Sequence, residues 1–305
     1  MADDSLRVIG GPTASGKSAI VLALAAHFPL TVISADSRQI YRGFDIGTAK
    51  PAAAERAKVP HLGIDVIAPT ERFSAAAWAE RAAGWIAEAR AAGRTPVIVG
   101  GTGFYIRALV APLFAEPPID PEERIALAAK FAPLPTEELR RRTQRLDPAR
   151  AHLGRAQLLR ALEVALLTGK PISHWQAQTP GAARFKARYL VVDPGPVLKD
   201  WIAARVDSML EAGWEAEVHA LARTVPDDAP AWNATGYAVV RELARGRLTR
   251  AEAVARITIA TRQYAKRQRT WFRHQLGADD VTRLVPHARP VVGPALEWWT
   301  GGGIA

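Results

Sequence analysis

The sequence has no cysteine, which excludes disulfides, thiolate metal sites and thiol chemistry. It has no apolar run approaching the ~20 residues a helix needs to span a bilayer. Nor does it open like a secretory signal: MADDSLRVIG carries two acids and then a strand-like run, not a basic start and an apolar stretch. A cytoplasmic protein without membrane contact is expected. Acidic residues are in deficit, 30 against 40 Lys and Arg, for a net charge of +10. Such an excess points to a polyanionic partner, although the alanine- and arginine-rich usage of a high-GC genome produces the same count. Where the charge sits therefore decides more than its sum. With 49% apolar residues over 305 positions, the chain can bury one large core or two modest ones.

What the sequence does contain begins at residue 6. Leu6-Arg7-Val8-Ile9 reads as a buried strand and the stretch after Ser18 as a helix. Between them lies Gly11-Pro12-Thr13-Ala14-Ser15-Gly16-Lys17-Ser18, a glycine, four residues, then Gly-Lys-Ser. Strand, loop and helix in that order form a phosphate-binding loop. Glycines let backbone N–H groups face inward, and the helix N-terminus adds partial positive charge. Lys17 reaches phosphate oxygens in such a loop and Ser18 ligates Mg²⁺. An ordinary glycine-rich turn is the bland alternative, and the flanking strand and helix argue against it.

A P-loop ATPase usually adds an apolar strand ending in an Asp that holds Mg²⁺. Here Pro96-Val-Ile-Val-Gly-Gly-Thr-Gly ends in glycines and Thr102, whereas Leu30-Thr-Val-Ile-Ser-Ala ends in Asp36-Ser37. The arrangement weighs against plain ATP hydrolysis and towards other diphosphate chemistry. Ligands of open α/β sheets bind outside the carboxyl ends of the strands, so Gly11–Ser18, Asp36-Ser37 and Gly101-Thr102 are expected to share one cleft. Asp36 can cap a following helix or act there as a general base or metal support. Thr102 can stabilise a tight turn or orient a substrate.

After Leu109 the pattern changes. A proline-rich break, Ala115-Glu-Pro-Pro, precedes Asp120, a natural N-cap with Pro121 at the first helical position. From there to about residue 180 only helical periodicity is seen. Seven arginines fall between 140 and 160, with few acids to offset them, which favours contact with a nucleic-acid backbone over a merely solvated face. Tyr189–Asp193 reads as a returning strand. Thr249 and Glu252 form a capping box that starts a long helix. On that helix Arg262, Lys266, Arg269 and Arg273 are spaced to share one face. Val254, Ile257, Thr261 and Tyr264 form a more buried stripe, and Trp271, Phe272 and His274 put aromatics among the charges. Together these read as a wall of an RNA-holding channel. The expected fold is α/β, a P-loop three-layer parallel sheet core with a helical insertion domain. Residues 1–116 form the first part of the core, 117–185 the insertion, and 186–305 the completion of the core with basic C-terminal helices.

At this point the chain resembles the tRNA dimethylallyltransferases, also called tRNA isopentenyltransferases. The resemblance runs nearly end to end, on GPTASGKS, ISADSRQIYRGFDIGTAKP (33–51), VGGTGFYIRAL (99–109), RALEVALLTGKPIS (160–173), RVDSMLEAGWEAEV (205–218) and TRQYAKRQRTWFR (261–273). It implies that the loop holds dimethylallyl diphosphate, and that the five-carbon group passes to N6 of the adenosine 3′ of a tRNA anticodon, nucleotide position 37. It implies Asp36 as the base and Thr102 as a contact of the target base. Lys17, Ser18 with Mg²⁺, and Arg205 would stabilise the departing diphosphate. Asp36, Ser37, Arg38, Gln39, Thr102, Arg124 and the segment Ala156, Gln157, Leu158, Leu159, Arg160 are implied contacts of the tRNA anticodon stem-loop. The family's acid followed by Gln-Arg is replaced here by Gly154-Arg155-Ala156-Gln157, a departure that touches tRNA contacts rather than chemistry. A monomer is expected. Prenyl transfer to free adenine nucleotide, an ATP-dependent small-molecule kinase, and a non-catalytic RNA-binding protein are the competing readings. None of them needs all of the P-loop, Asp36, Thr102 and the distant cations together.

Overall fold

The computed structural model describes residues 5–111, 119–178, 184–276, 280–286 and 292–301. The proline-rich break at 115–118, and with it the expected boundary at 116–117, lies outside them. The chain divides into two compact units, residues 1–110 with 185–305, and residues 111–184.

In the first unit the chain alternates strand and helix. In order come β1 (Leu6–Gly10), α1 (Lys17–Ala25), β2 (Leu30–Ser34), α2 (Ala53–Lys58), β3 (His61–Leu62), α3 (Ala75–Ala91), β4 (Thr95–Gly100) and α4 (Gly103–Val110). The second unit contributes α5 (Pro121–Phe131), α6 (Thr136–Leu146), α7 (Arg155–Thr168) and α8 (Ile172–Ala177). The first unit resumes with β5 (Ala187–Val192), α9 (Leu198–Glu211), α10 (Trp214–Leu221), α11 (Tyr237–Ala244), α12 (Arg250–His274), β6 (Val281–Leu284) and α13 (Val292–Thr300). The strands pair in the order β3-β2-β4-β1-β5-β6, and every pairing is parallel.

Period-2 alternation builds three layers from apolar strands. Ile9, Val32, Val97 and Leu190 pack on one face with α1 and α13. Their neighbours Val8, Ile33, Ile98 and Val191 pack on the other with residues of α3, α4 and α9–α12. Each such side chain, once buried, contributes on the order of 1.5–3 kcal/mol. The sheet order also sets the site. The chain passes from β1 to β2 and leaves room for β4 between them, so the carboxyl ends of β2, β4 and β1 are adjacent.

The second unit is helical among its described residues. Asp120 caps α5, accepting the N–H groups of Glu122 (2.8 Å) and Glu123 (3.1 Å). A small core of Phe131, Leu139, Leu158 and Leu162 joins α5, α6 and α7.

Candidate active site

The loop after β1 reaches α1 through Gly16, whose φ of 88° is in the left-handed region that glycine enters without strain. Lys17 opens the helix, and its ammonium turns back into the loop. It donates to the carbonyls of Gly11 (3.0 Å) and Pro12 (2.6 Å) and to Ser15 Oγ (3.4 Å). Its pKa is lowered to about 7, first by burial and then by the charge of Arg205, with Asp36 working in the opposite direction. The same balance holds for Arg205 on α9, whose pKa burial lowers and Asp36 raises. Lys17, Arg205 and Asp36 thus sense one another's charge. Ser18 is exposed on the first turn of α1.

Asp36 follows β2, and no helix follows it, so the capping role open to it in sequence does not apply. The chain turns instead, and Asp36 Oδ1 accepts the N–H of Arg38 at 2.8 Å. Thr102 ties the end of β4 to this turn. Its N–H donates to Ala35 O (3.0 Å), its Oγ1 accepts the N–H of Ser37 (3.0 Å), and its hydroxyl reaches Ser37 Oγ at 3.4 Å. Tyr264 of α12 is hydrogen-bonded to Thr102, and its pKa is raised to about 12, first by burial and then by Asp36.

Of these groups Asp36, Arg205 and Tyr264 line one cleft, whereas Ser18 lines a separate cavity with Ser34 and Gln39. Thr13, Asp36, Arg38 and Arg205 supply the polar lining of the cleft, and Ile202, Val206, Met209, Trp214 and Ile257 an apolar one. Gln39 is different. Its amide donates to the carbonyls of Thr48 (3.3 Å) and Ala49 (3.0 Å) and accepts the Ser34 hydroxyl (2.9 Å). Its side chain holds the loop at 48–49 to β2, so its polar atoms are engaged within the chain, which differs from the expected RNA contact.

The residue that sequence reasoning missed is Gln268. It is 6% exposed, accepts the N–H of Thr13 at 2.8 Å and donates to Gly101 O at 3.0 Å. One amide therefore joins the phosphate loop, the β4 loop and α12. A side chain at Gly101 would collide with it, since a Cβ there would lie 2.1 Å from Gln268 Nε2. A polar residue seven positions after Thr261, on the stripe that faces the cleft, was the available signal.

On α12 the expected cationic face is present. Arg262, Lys266, Arg269 and Arg273 line one groove with Lys199 of α9, and Arg269 also pairs with Asp193 at 2.8 Å. The aromatic part of the expectation is corrected. Phe272 is buried beneath Gly10, and Trp271 packs on Gly103. Both are core side chains, because that face of α12 lies on the sheet and α4; His274 alone of the three is exposed.

The helical unit also corrects the charge count. Glu137 pairs with Arg140, Glu138 with Arg141 and Arg142, and Glu163 with Arg160 and with Arg124 (2.7 Å). Arg155 donates to the carbonyls of Leu134 (2.6 Å) and Ala132 (2.7 Å). Acids three or four residues from arginines on α6 offset charge that looked free. Within 156–160, Leu158 is fully buried, which leaves its side chain no contact with RNA, and Leu159 packs beside it half-buried. Ala156 and Gln157 are exposed, and Gln157 Oε1 accepts the N–H of Gly154 at 3.3 Å as a helix cap.

A parallel sheet with a lysine-serine phosphate loop at its carboxyl edge defines a P-loop protein with a substrate cleft beside the loop. A sequence model described as IPP transferase matches residues 39–275. The chain is 41% identical to a tRNA dimethylallyltransferase of Thermosynechococcus vestitus, over 90% of this chain and 88% of that one. It is 43% identical to one of Rhodospirillum centenum, over 89% of each. The crystal structure of a full-length tRNA isopentenylpyrophosphate transferase from Bacillus halodurans superposes with a TM-score of 0.69 and 32% identity, over 98% of this chain and 97% of that one. The chain belongs to the IPP transferase family, and it is a transferase.

Proposed function

We propose that this protein transfers the dimethylallyl group of dimethylallyl diphosphate to N6 of the adenosine 3′-adjacent to the anticodon of tRNA, releasing diphosphate. The observation that carries the reading is the composition of one cleft: the cation Arg205 and the carboxylate Asp36 next to an apolar wall, with the charge of Lys17, in the phosphate loop, coupled to both. An anionic leaving group, a proton acceptor and a hydrocarbon each find a matching surface there.

The exocyclic amine of adenine is a weak nucleophile because its lone pair is delocalised into the ring. Asp36, fixed by Arg38 N–H and flanked by Thr102, accepts the N6 proton as the carbon–nitrogen bond forms. Lys17 and Arg205 stabilise the charge that develops on the departing diphosphate. Because Thr102 is tied to Ser37 and Tyr264, it presents a fixed polar edge to the base. The target adenosine must leave its stack to reach this depth.

The residues fit Mg²⁺ as an ion shared with the substrate. Among the described residues no cluster of three acids or histidines can hold a metal; the oxygen donors beside the phosphate loop are the Ser18 hydroxyl, next to Lys17 at the start of α1, and Asp36 in the cleft. Mg²⁺ binds in this manner, keeping several waters and taking phosphate oxygens. When bound it supplies charge neutralisation at the diphosphate.

RNA contact is assigned to Arg38 at the cleft, to the groove of Lys199, Arg262, Lys266 and Arg273, and to Arg124, Ala156, Gln157 and Arg160 on the helical unit. All catalytic groups lie in one chain, so a monomer suffices. No helix among the described residues is long and apolar enough to cross a membrane.

The test supplies radiolabelled dimethylallyl diphosphate and Mg²⁺ with an unmodified tRNA, and with AMP and ATP as separate acceptors. Label should enter RNA alone, and Asp36→Ala should abolish transfer while tRNA still binds. Label in AMP or ATP would move the protein to free-nucleotide prenylation. Loss of tRNA binding in Asp36→Ala would remove Asp36 as the base.

A further inference from the structure

We propose that Met209 sets the length of the allylic donor and restricts the cleft to a five-carbon group. This rests on the reading of the cleft given above. Ile202, Arg205, Val206 and Met209 of α9 line the cleft together, at the spacing that puts them on one helical face. Arg205 belongs to the polar end with Lys17 and Asp36. Met209 lies one helical turn further on, a rise of about 6 Å, which is roughly the reach of a five-carbon chain from its diphosphate oxygen. The chain then turns at Gly213 into Trp214, which closes the apolar end.

Trp214 is a fixed wall. It is 1% exposed and stands edge-on to Tyr237 with centroids 5.3 Å apart. Two glycines make room for it: a Cβ at Gly47 would lie 2.2 Å from its Nε1, and one at Gly236 would lie 2.3 Å from its ring. Met209 is half-buried, outside that lock, and is the wall that can be shortened without disturbing it. A geranyl group, five carbons longer than the dimethylallyl group, would have to extend past Met209.

The chemistry is unchanged by chain length. The C1–O bond breaks with its electron pair leaving on diphosphate, the N6 lone pair forms the new C–N bond, and the N6 proton passes to Asp36. The test measures kcat/KM for dimethylallyl and geranyl diphosphates with the same tRNA, in the natural protein and in Met209→Ala. The natural protein should use the shorter donor, and Met209→Ala should raise the geranyl-to-dimethylallyl ratio by about tenfold or more, the scale on which apolar pockets discriminate chain length. A second variant, Met209→Trp, should raise KM for dimethylallyl diphosphate by about tenfold while inorganic diphosphate inhibits as before. Geranyl transfer by the natural protein at a comparable rate, an unmoved ratio in Met209→Ala, or an unmoved KM in Met209→Trp would each overturn the proposal. Transfer of neither donor by the natural protein would instead overturn the reading of the cleft, and this proposal with it.

Discussion

Lys17 shows at the scale of one residue how a phosphate loop stores its charge. Its ammonium is held on two loop carbonyls and a serine hydroxyl, and burial with Arg205 nearby brings its pKa to about 7. A diphosphate arriving in the cleft favours the charged form and raises that value. Above pH 7 the free protein holds Lys17 largely neutral and the complex holds it charged, so binding takes up a proton; well below pH 7 it is charged in both and none is taken up. Affinity for the diphosphate should therefore fall as pH rises from 7 to 9. Calorimetry of inorganic diphosphate binding at pH 8, in buffers of different ionisation enthalpy, should report uptake of nearly one proton per site, lost in Lys17→Ala. No uptake at pH 8 would mean that Lys17 is already charged in the free cleft.

At the scale of an element, α12 does two jobs with two faces. Through Gln268 it fixes the phosphate loop and the β4 loop at once. Gln268→Leu would leave the Thr13 N–H and the Gly101 carbonyl buried without partners, a cost of about 1–3 kcal/mol for each group. The expected outcome is a KM for the allylic diphosphate raised by about tenfold, with the unfolding midpoint lowered by several degrees. An unchanged KM with a lowered midpoint would make Gln268 purely structural. The opposite face carries the cations. Lys266 and Arg273 show no ion pair among the described residues, whereas Arg269 is paired with Asp193. Lys266→Ala combined with Arg273→Ala should flatten the slope of log K against log salt for tRNA by roughly 1.5 units, two lost phosphate contacts at ~0.7–0.9 each. An unaltered slope would place that groove away from RNA.

At the scale of the whole molecule, the parts legible in the sequence are those governed by neighbours along the chain. The strand and loop at 6–18, the cap at Asp120 and the capping box at Thr249 are all local. Asp36 and Thr102 were assigned to one cleft because strand ends meet there, and the order β2-β4-β1 places them together. Gln268 was legible only as a polar residue on the buried stripe of α12; its role as a bridge was not, because its partner Thr13 lies 255 residues away. The burial of Trp271 and Phe272 depends likewise on which face of α12 meets the sheet. The paired arginines of α6 are local by contrast: Glu137 and Glu138 stand three or four residues before Arg140, Arg141 and Arg142 and offset their charge.

The central claim is that this phosphate loop holds a leaving group rather than a nucleotide to be hydrolysed. The most direct test incubates the protein with dimethylallyl diphosphate, ATP, Mg²⁺ and unmodified tRNA, then quantifies released diphosphate, prenylated adenosine and inorganic phosphate together. One diphosphate per modified adenosine, with ATP unchanged, is the expected result. Consumption of ATP with unmodified RNA would contradict it.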